Sequence, residues 1–371
     1  MRVLIVKTSA LGDIVQTFSV VEYLKKRQKV ERIGWVVESR FSDLVRAHPF
    51  VDTVIEIDSK LLRSSLFDCS VIGEWRRQRA LIRQESWDVL FDLQGNCKSG
   101  LVTWSSKSPV KVGYGRKTVA ESPNLLTTNR KVNPPQGLPI REEYLWLVQQ
   151  YFNDTASFQT SPMELNLTQS QQHALHVEMS HWPVSKPVWI IAVGSNWPNK
   201  MCKTESLVHL LYMIRSEFHP YFIFVAGSGE ELAIVGDLGR EFLHSSHILY
   251  RPDLPLLQRA ISNGNAVIAV DSLILHLAAT TKTPTFSFFG PSNAAKYAPH
   301  GTLHGSFQSP CPNNSSFEKR CPFLRTCLSG ACLKGADPEA MFEAVRAWQQ
   351  RVSHTHRSLP AMHALHWCFH P

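Results

Sequence analysis

An aspartate placed directly behind an apolar run is the first feature of this sequence suited to acid–base chemistry. Arg2–Val6 is short, apolar and β-branched and ends in Lys7-Thr8-Ser9, while apolar residues recur at helical spacing from Ile14 to Leu24. A strand feeding a helix through a tight turn sets Asp13 at the carboxyl edge of a sheet, where open α/β folds hold their ligands. Gly12 is expected to supply the backbone freedom of that turn. The carboxylate can take a proton from a nucleophile, or it can act only as a helix cap that stabilises the helix start by about 1 kcal/mol. The stretch is no Walker loop, because it lacks the paired glycines and the Gly-Lys-Ser/Thr ending.

A second set of candidates lies further along. Asp271-Ser272 follows the apolar run Ala266–Val270 and opens a helix, whose free N–H groups and positive dipole end suit a diphosphate. Lys200, at the end of Gly194-Ser195-Asn196-Trp197-Pro198-Asn199, can bring a positive charge to the same phosphates or be a solvated surface lysine. Glu230 and Glu231 follow Gly227-Ser228-Gly229, where a carboxylate can accept both hydroxyls of a ribose or merely favour the helix dipole. His276, one turn into its helix, reads as a packing histidine. Ser-His-Asp, metalloprotease and Asp-x-Asp patterns are absent, so the chemistry must run on a carboxylate, cations and helix ends, with no metal or cofactor expected.

Strands that could position these residues recur in two series. Arg2–Val6, Ile33–Glu38, Thr53–Ile57, Val89–Leu93 and Lys111–Gly115 alternate with helical stretches over residues 1–160, which predicts a doubly wound parallel sheet. Gln94-Gly95-Asn96 closes the fourth strand on the side of Asp13; Arg116–Gly137 reads as loop and Arg141–Phe152 as helix. The pattern weakens through a linker at 161–187. It restarts over 188–336 with Val188–Val193, Tyr221–Ala226, Ala266–Val270 and Thr285–Phe289, and with helices at Thr204–Phe218 and Leu254–Asn263. Two such halves predict a ligand cleft between them. An amphipathic helix over 337–352 and a tail, 353–371, with His354, His356, His363, His366 and His370 complete the chain. The tail reads as a poorly ordered terminus.

At 371 residues the chain can bury two cores, and a net charge of +8 points to an anionic partner. Basic residues are not interleaved with aromatics as in a nucleic-acid module, so none is expected. No apolar run of about twenty residues is present. Met1 leads straight into a strand without signal-peptide features, so a cytoplasmic protein is expected. Among the eight cysteines, Cys311, Cys321, Cys327 and Cys332 crowd together as C-x9-C-x5-C-x4-C. That spacing lacks the C-x2-C knuckles of common zinc sites, and reduced thiols or a local cross-link are the alternatives.

Taken in order, Leu4–Asp13, Trp35–Glu38, Phe91–Gly95, Trp197–Lys200, Val270–Ser272 with His276, and Phe289–Pro291 resemble the ADP-heptose:lipopolysaccharide heptosyltransferases, glycosyltransferase family 9, over nearly the whole chain. The resemblance implies a GT-B enzyme of two Rossmann-like domains, with the acceptor on the first, the nucleotide sugar on the second and the last helix packing back on the first. It implies metal-independent transfer with inversion from ADP-heptose to Kdo-lipid A, at the cytoplasmic face of an inner membrane. By this carry-over Asp13 is the general base. Lys200, Ser272 and Leu273 hold the diphosphate, and Asp271 the heptose, with His276 beside it. Glu230, before Glu231, holds the ribose; Ser195 and Asn196 the phosphate or sugar; and the backbone at Pro252 the adenine. Ser9, Gly12, Lys60, Arg63, Gln94 and Arg116 would meet the acceptor. Leu273 stands where the family usually has glycine, and Arg116 substitutes for an acceptor-binding arginine near Thr118.

Overall fold

The computed structural model describes residues 1–58, 69–327 and 329–358. Two all-parallel sheets of six strands each form the molecule. The first comprises β1 (Arg2–Val6), β2 (Arg32–Glu38), β3 (Thr53–Ile57), β4 (Val89–Asp92), β5 (Val110–Tyr114) and β6 (Arg130–Val132), in the order β3-β2-β1-β4-β5-β6. The second comprises β7 (Val188–Ala192), β8 (Tyr221–Ala226), β9 (Ser246–Tyr250), β10 (Ala266–Val270), β11 (Thr285–Phe289) and β12 (His304–Gln308), in the order β12-β11-β10-β7-β8-β9. Each sheet repeats the doubly wound order, so each has its reversal point between its first and fourth strands, β1/β4 and β7/β10. The inner strands β1, β4, β7 and β10 are apolar because helices cover both faces.

The strands β6, β9 and β12 were not foreseen, and all three are sheet edges. Arg130-Lys131-Val132 and His304-Gly305-Ser306-Phe307-Gln308 carry the polar residues that blunt an edge, so they lack an apolar signature. The helices Cys97–Ser105 and Gln169–Ser180 likewise fall in stretches that gave no periodic signal, the second inside the expected linker. The first helix divides at Thr17 into Leu11–Gln16 and Phe18–Lys26, with the Thr17 hydroxyl donating to the Asp13 carbonyl at 2.8 Å. The last helix, Pro338–Ser358, differs from expectation. Met341, Phe342, Val345 and Trp348 pack against the second sheet and its helix Thr204–Phe218, with Trp348 against Trp189 and Phe286, rather than returning to the first half.

One apolar cluster runs through both halves, joining Ile14 and Val15 to Leu275 and Leu277. Beside it Lys296, from the second half, pairs with Glu143 of the helix Ile140–Phe152 and donates to the Leu138 carbonyl at 2.7 Å, both partners being buried. Among the described residues no helix is long and apolar enough to cross a membrane.

Two buried histidines give the fold a pH dependence. Burial pushes the His48 imidazole down to about 3 and the His304 imidazole down to about 4. The unfolded chain binds a proton at each below its ordinary value of about 6.5, whereas the folded chain does not until far lower. Stability is therefore complete above about pH 6.5 and falls as the pH drops toward 4, at about 1.4 kcal/mol per pH unit for each histidine. Urea unfolding across that range is expected to show this slope, and His48→Gln to reduce it.

Candidate active site

Asp13 reaches its position because β1 ends at Val6 and the chain crosses to the helix Leu11–Gln16. It occupies the third position of that helix, where Oδ2 accepts from the Ala10 N–H at 3.4 Å and Oδ1 from the Tyr144 hydroxyl at 3.2 Å. The capping and the chemical readings therefore coexist. Behind it, Lys7 Nζ donates to the Tyr144 oxygen at 2.8 Å and to the Leu93 carbonyl at 2.9 Å. Burial pulls the Lys7 ammonium below its ordinary value, against the attraction of Asp13, Asp92 and Glu143. A lysine, a tyrosine and the aspartate thus form one hydrogen-bonded row that fixes the carboxylate.

Across the cleft, β10 delivers Asp271 and the helix Leu273–Ala278 starts immediately after it. Asp271 Oδ2 accepts from Lys200 Nζ at 2.5 Å and from the Ser292 hydroxyl, and Oδ1 lies 3.6 Å from His276 Nε2. Burial alone would raise the Asp271 carboxyl. The imidazole of His276 beside it and the charge of Lys200 outweigh it and hold the group well below the usual carboxylate range. Lys200 is only 7% exposed, so it is a buried partner and not a solvated surface lysine. Ser272 Oγ is buried with no hydrogen-bond partner among the described residues, a polar atom left for a ligand at the helix start.

Asp13 from the first constellation and Lys200, Asp271 and His276 from the second line one cavity of about 510 Å³. Gly12 and Asp13 border it from the first half; Ser195, Asn196, Lys200, Pro252, Asp271, Ser272, Leu273 and His276 border it from the second. Val225, Leu254 and Leu257 give the wall beside Pro252 an apolar surface suited to an adenine ring.

Several expectations change. Glu231, not Glu230, borders the cavity; Glu230 is exposed, whereas the Glu231 carboxylate turns back to accept from the Gly227 N–H at 2.6 Å. Gly12 has no positive φ, so turn freedom is not its role; a Cβ there would stand 3.1 Å from His276 Cδ2 across the cleft, and close approach is what it permits. Gln94 accepts from the N–H groups of Thr8 and Ser9, at 3.1 and 3.3 Å, and borders a second cavity of about 390 Å³ with Lys7 and Tyr144. Ser9 borders neither cavity. Arg116 is exposed and outside both, while the neighbouring Lys117 and Lys319 line the second. Lys60 and Arg63 lie outside the described residues.

Gln16, Arg251, Tyr297 and Arg320 border the main cavity and were not foreseen. Gln16 had a signal, since it follows Asp13 by one helical turn and meets His276 at 3.5 Å. Arg320 had none, because it arrives on the cysteine-bearing loop. Among the described residues, Glu178, His181 and His247 are the group with three ligand atoms within 4.8 Å of one another, and they line neither cavity.

Gly194 is held to glycine by Glu231: an added Cβ would lie 2.4 Å from its Cδ. Gly194→Ala must displace that carboxylate from its place beside Gly227. A lost charged hydrogen bond is expected to lower stability in urea unfolding by up to about 1.5–3 kcal/mol.

The family model described as Glycosyltransferase family 9 (heptosyltransferase) matches residues 75–326. Lipopolysaccharide heptosyltransferase 1 of Pseudomonas aeruginosa PAO1 is 26% identical over 338 residues, covering 88% of this chain and 89% of that protein. Among solved structures, Escherichia coli heptosyltransferase WaaC with ADP-2-deoxy-2-fluoro heptose superposes with a TM-score of 0.72 at 21% identity, covering 94% of this chain and 99% of that one. Escherichia coli ADP-heptose lps heptosyltransferase II gives a TM-score of 0.68 at 18% identity, covering 95% and 100%. These structural likenesses concern the two-sheet GT-B architecture.

Proposed function

This chain belongs to glycosyltransferase family 9, the heptosyltransferases, and on that premise we propose that it moves heptose from ADP-heptose to the Kdo sugar of Kdo-lipid A, with inversion and without a metal. The observation that carries this reading is the shared cavity: a carboxylate from one half and a cation with an open helix start from the other border the same space. In the proposed step the acceptor hydroxyl oxygen bonds to the anomeric carbon while the bond from that carbon to the diphosphate breaks. Asp13 takes the hydroxyl proton. Lys200 and the N–H groups at Ser272 and Leu273 stabilise the charge that gathers on the departing ADP. Asp271 would meet heptose hydroxyls, Glu231 the ribose, and Ser195 and Asn196 the phosphate or sugar.

The second cavity supports an acidic acceptor, since Lys7, Lys117, Lys296 and Lys319 on its wall outnumber Glu143 and Glu318. Peripheral residence at an inner membrane follows from a lipid-linked acceptor. That relatives are called lipopolysaccharide heptosyltransferase 1 supports the lipopolysaccharide substrate. Leu273, which borders the donor side of the cavity, favours a second reading in which the sugar nucleotide is a different one. Mass spectrometry of products from a donor panel with Kdo-lipid A separates the two. A mass gain of one heptose from ADP-heptose alone supports the first reading, and transfer only from another donor replaces it.

A further inference from the structure

The loop from Ser309 to Ser329 is held by polar contacts and hardly by a core. Its buried apolar residue among those described is Leu324, yet it delivers Arg320 to the main cavity and Lys319 to the second. Polar ties fasten it: the Asn293 N–H donates to the Lys319 carbonyl at 3.0 Å and its side-chain amide to the carbonyls of Phe317 and Glu318 at 3.2 and 3.0 Å, while Arg320 and Arg325 lie over the rings of Tyr297 and Trp197. Arg320 forms an antiparallel bridge with Ser292, the Cys321 N–H donates to the Pro291 carbonyl at 2.8 Å, and the Asn199 amide donates to the carbonyls of Leu324 and Cys327 at 3.0 and 2.7 Å. Asn199 belongs to the turn Pro198–Lys200, so the loop and the buried lysine share a support. Cys311, Cys321 and Cys327 from this stretch, with Cys332 of the helix Ala331–Lys334, line one small cavity of about 30 Å³, and none is in a disulfide.

We propose that these four thiols are the ligand set of a tetrahedral thiophilic cation, Zn²⁺ or iron, which staples the loop and sets Arg320 and Lys319 in place. Four sulfur donors, on a wall that carries no carboxylate, select that class of ion over magnesium or calcium. A segment this poor in apolar contacts gains its order from such a staple. Zinc–sulfur bonds of about 2.3 Å put sulfurs about 3.8 Å apart, whereas no three of the four lie within 4.8 Å of one another here. Binding therefore draws the loop inward around the cavity. The spacing alone argued against this, because contacts to Asn199 and Pro291, invisible in the sequence, bring distant cysteines to one wall.

Occupancy is measured without donor or acceptor, so it can fail while transfer stands, and the reverse. Full-length protein purified under reducing conditions without chelator is expected to carry about one zinc or iron ion per chain by elemental analysis, which also distinguishes the two metals. Cobalt substitution is expected to give the thiolate-to-metal charge-transfer absorption of a tetrahedral sulfur site. Cys321→Ser and Cys327→Ser should abolish that absorption, while Cys97→Ser and Cys202→Ala retain it. If the serine variants fail to fold, the cobalt spectrum of the unaltered chain decides. Absence of bound metal after reconstitution with Zn²⁺ and with Fe²⁺, or peptide mapping that finds these cysteines paired as disulfides in the reduced preparation, overturns the proposal.

Discussion

Asp13→Asn is expected to lower turnover with ADP-heptose and Kdo-lipid A by about 10²–10⁴-fold, the usual contribution of a positioned general base, while ADP still binds. The amide keeps the shape of the side chain and an oxygen that accepts from the Tyr144 hydroxyl. What it loses is the capacity to take a proton. On the proposed reading the nucleotide lies on the other half of the molecule, where Lys200, Asp271 and Ser272 line the cavity, so ADP affinity has no reason to follow turnover. Single-turnover transfer and ADP calorimetry on the same preparation separate the two quantities. Transfer within tenfold of the unaltered enzyme would remove Asp13 from the role of base. Tyr144→Phe is the companion test. It leaves the carboxylate ionisable but removes the oxygen that joins it to Lys7, so the expected change is in the pH profile of turnover as well as in its height.

How far such a site can be read from the chain depends on where each residue sits in the fold. Asp13, Asp271 and the Lys200 turn follow inner strands, whose unbroken apolar runs mark both the strand and the point where it stops. The two reversal points then bring those ends together, because strand order in each sheet is the same. Of the four edge strands, β3 keeps enough apolar residues in Val54, Ile55 and Ile57 to be legible, whereas β6, β9 and β12 are shorter or more polar and went unseen. Which of two adjacent glutamates faces the ligand is a question of helical phase at a helix start, and a shift of one residue turns Glu231 inward and Glu230 to solvent. Arg320 and Tyr144 lie beyond any local pattern. One depends on a loop tied down by distant backbone contacts, the other on a helix that crosses behind the aspartate.

Lys200→Met is expected to destabilise the fold by about 3–5 kcal/mol, because it strands a buried carboxylate. Asp271 is 7% exposed, and the neighbouring His276 imidazole with the charge of Lys200 is what keeps it ionised there. The sign of the pH dependence follows. A carboxylate whose folded value lies below its unfolded value of about 3.9 contributes stability that is complete above that value and is lost as the pH falls toward the folded one. Without Lys200 that contribution shrinks, so the gap between the two proteins in urea unfolding should be widest near neutrality and close below about pH 4. Adding Asp271→Asn removes the stranded charge, and the double variant should recover much of the lost stability. It should not recover transfer, since the cation facing the diphosphate is still missing, a loss of the order of 10²–10³ in turnover where a charge-stabilising group is removed. Stability and activity restored together would mean that the lysine serves only to neutralise its aspartate. Stability restored alone, with Asp271→Asn by itself retaining more transfer than the double variant, would mean that the ammonium, held at 2.5 Å from Asp271, is kept buried in readiness for a diphosphate.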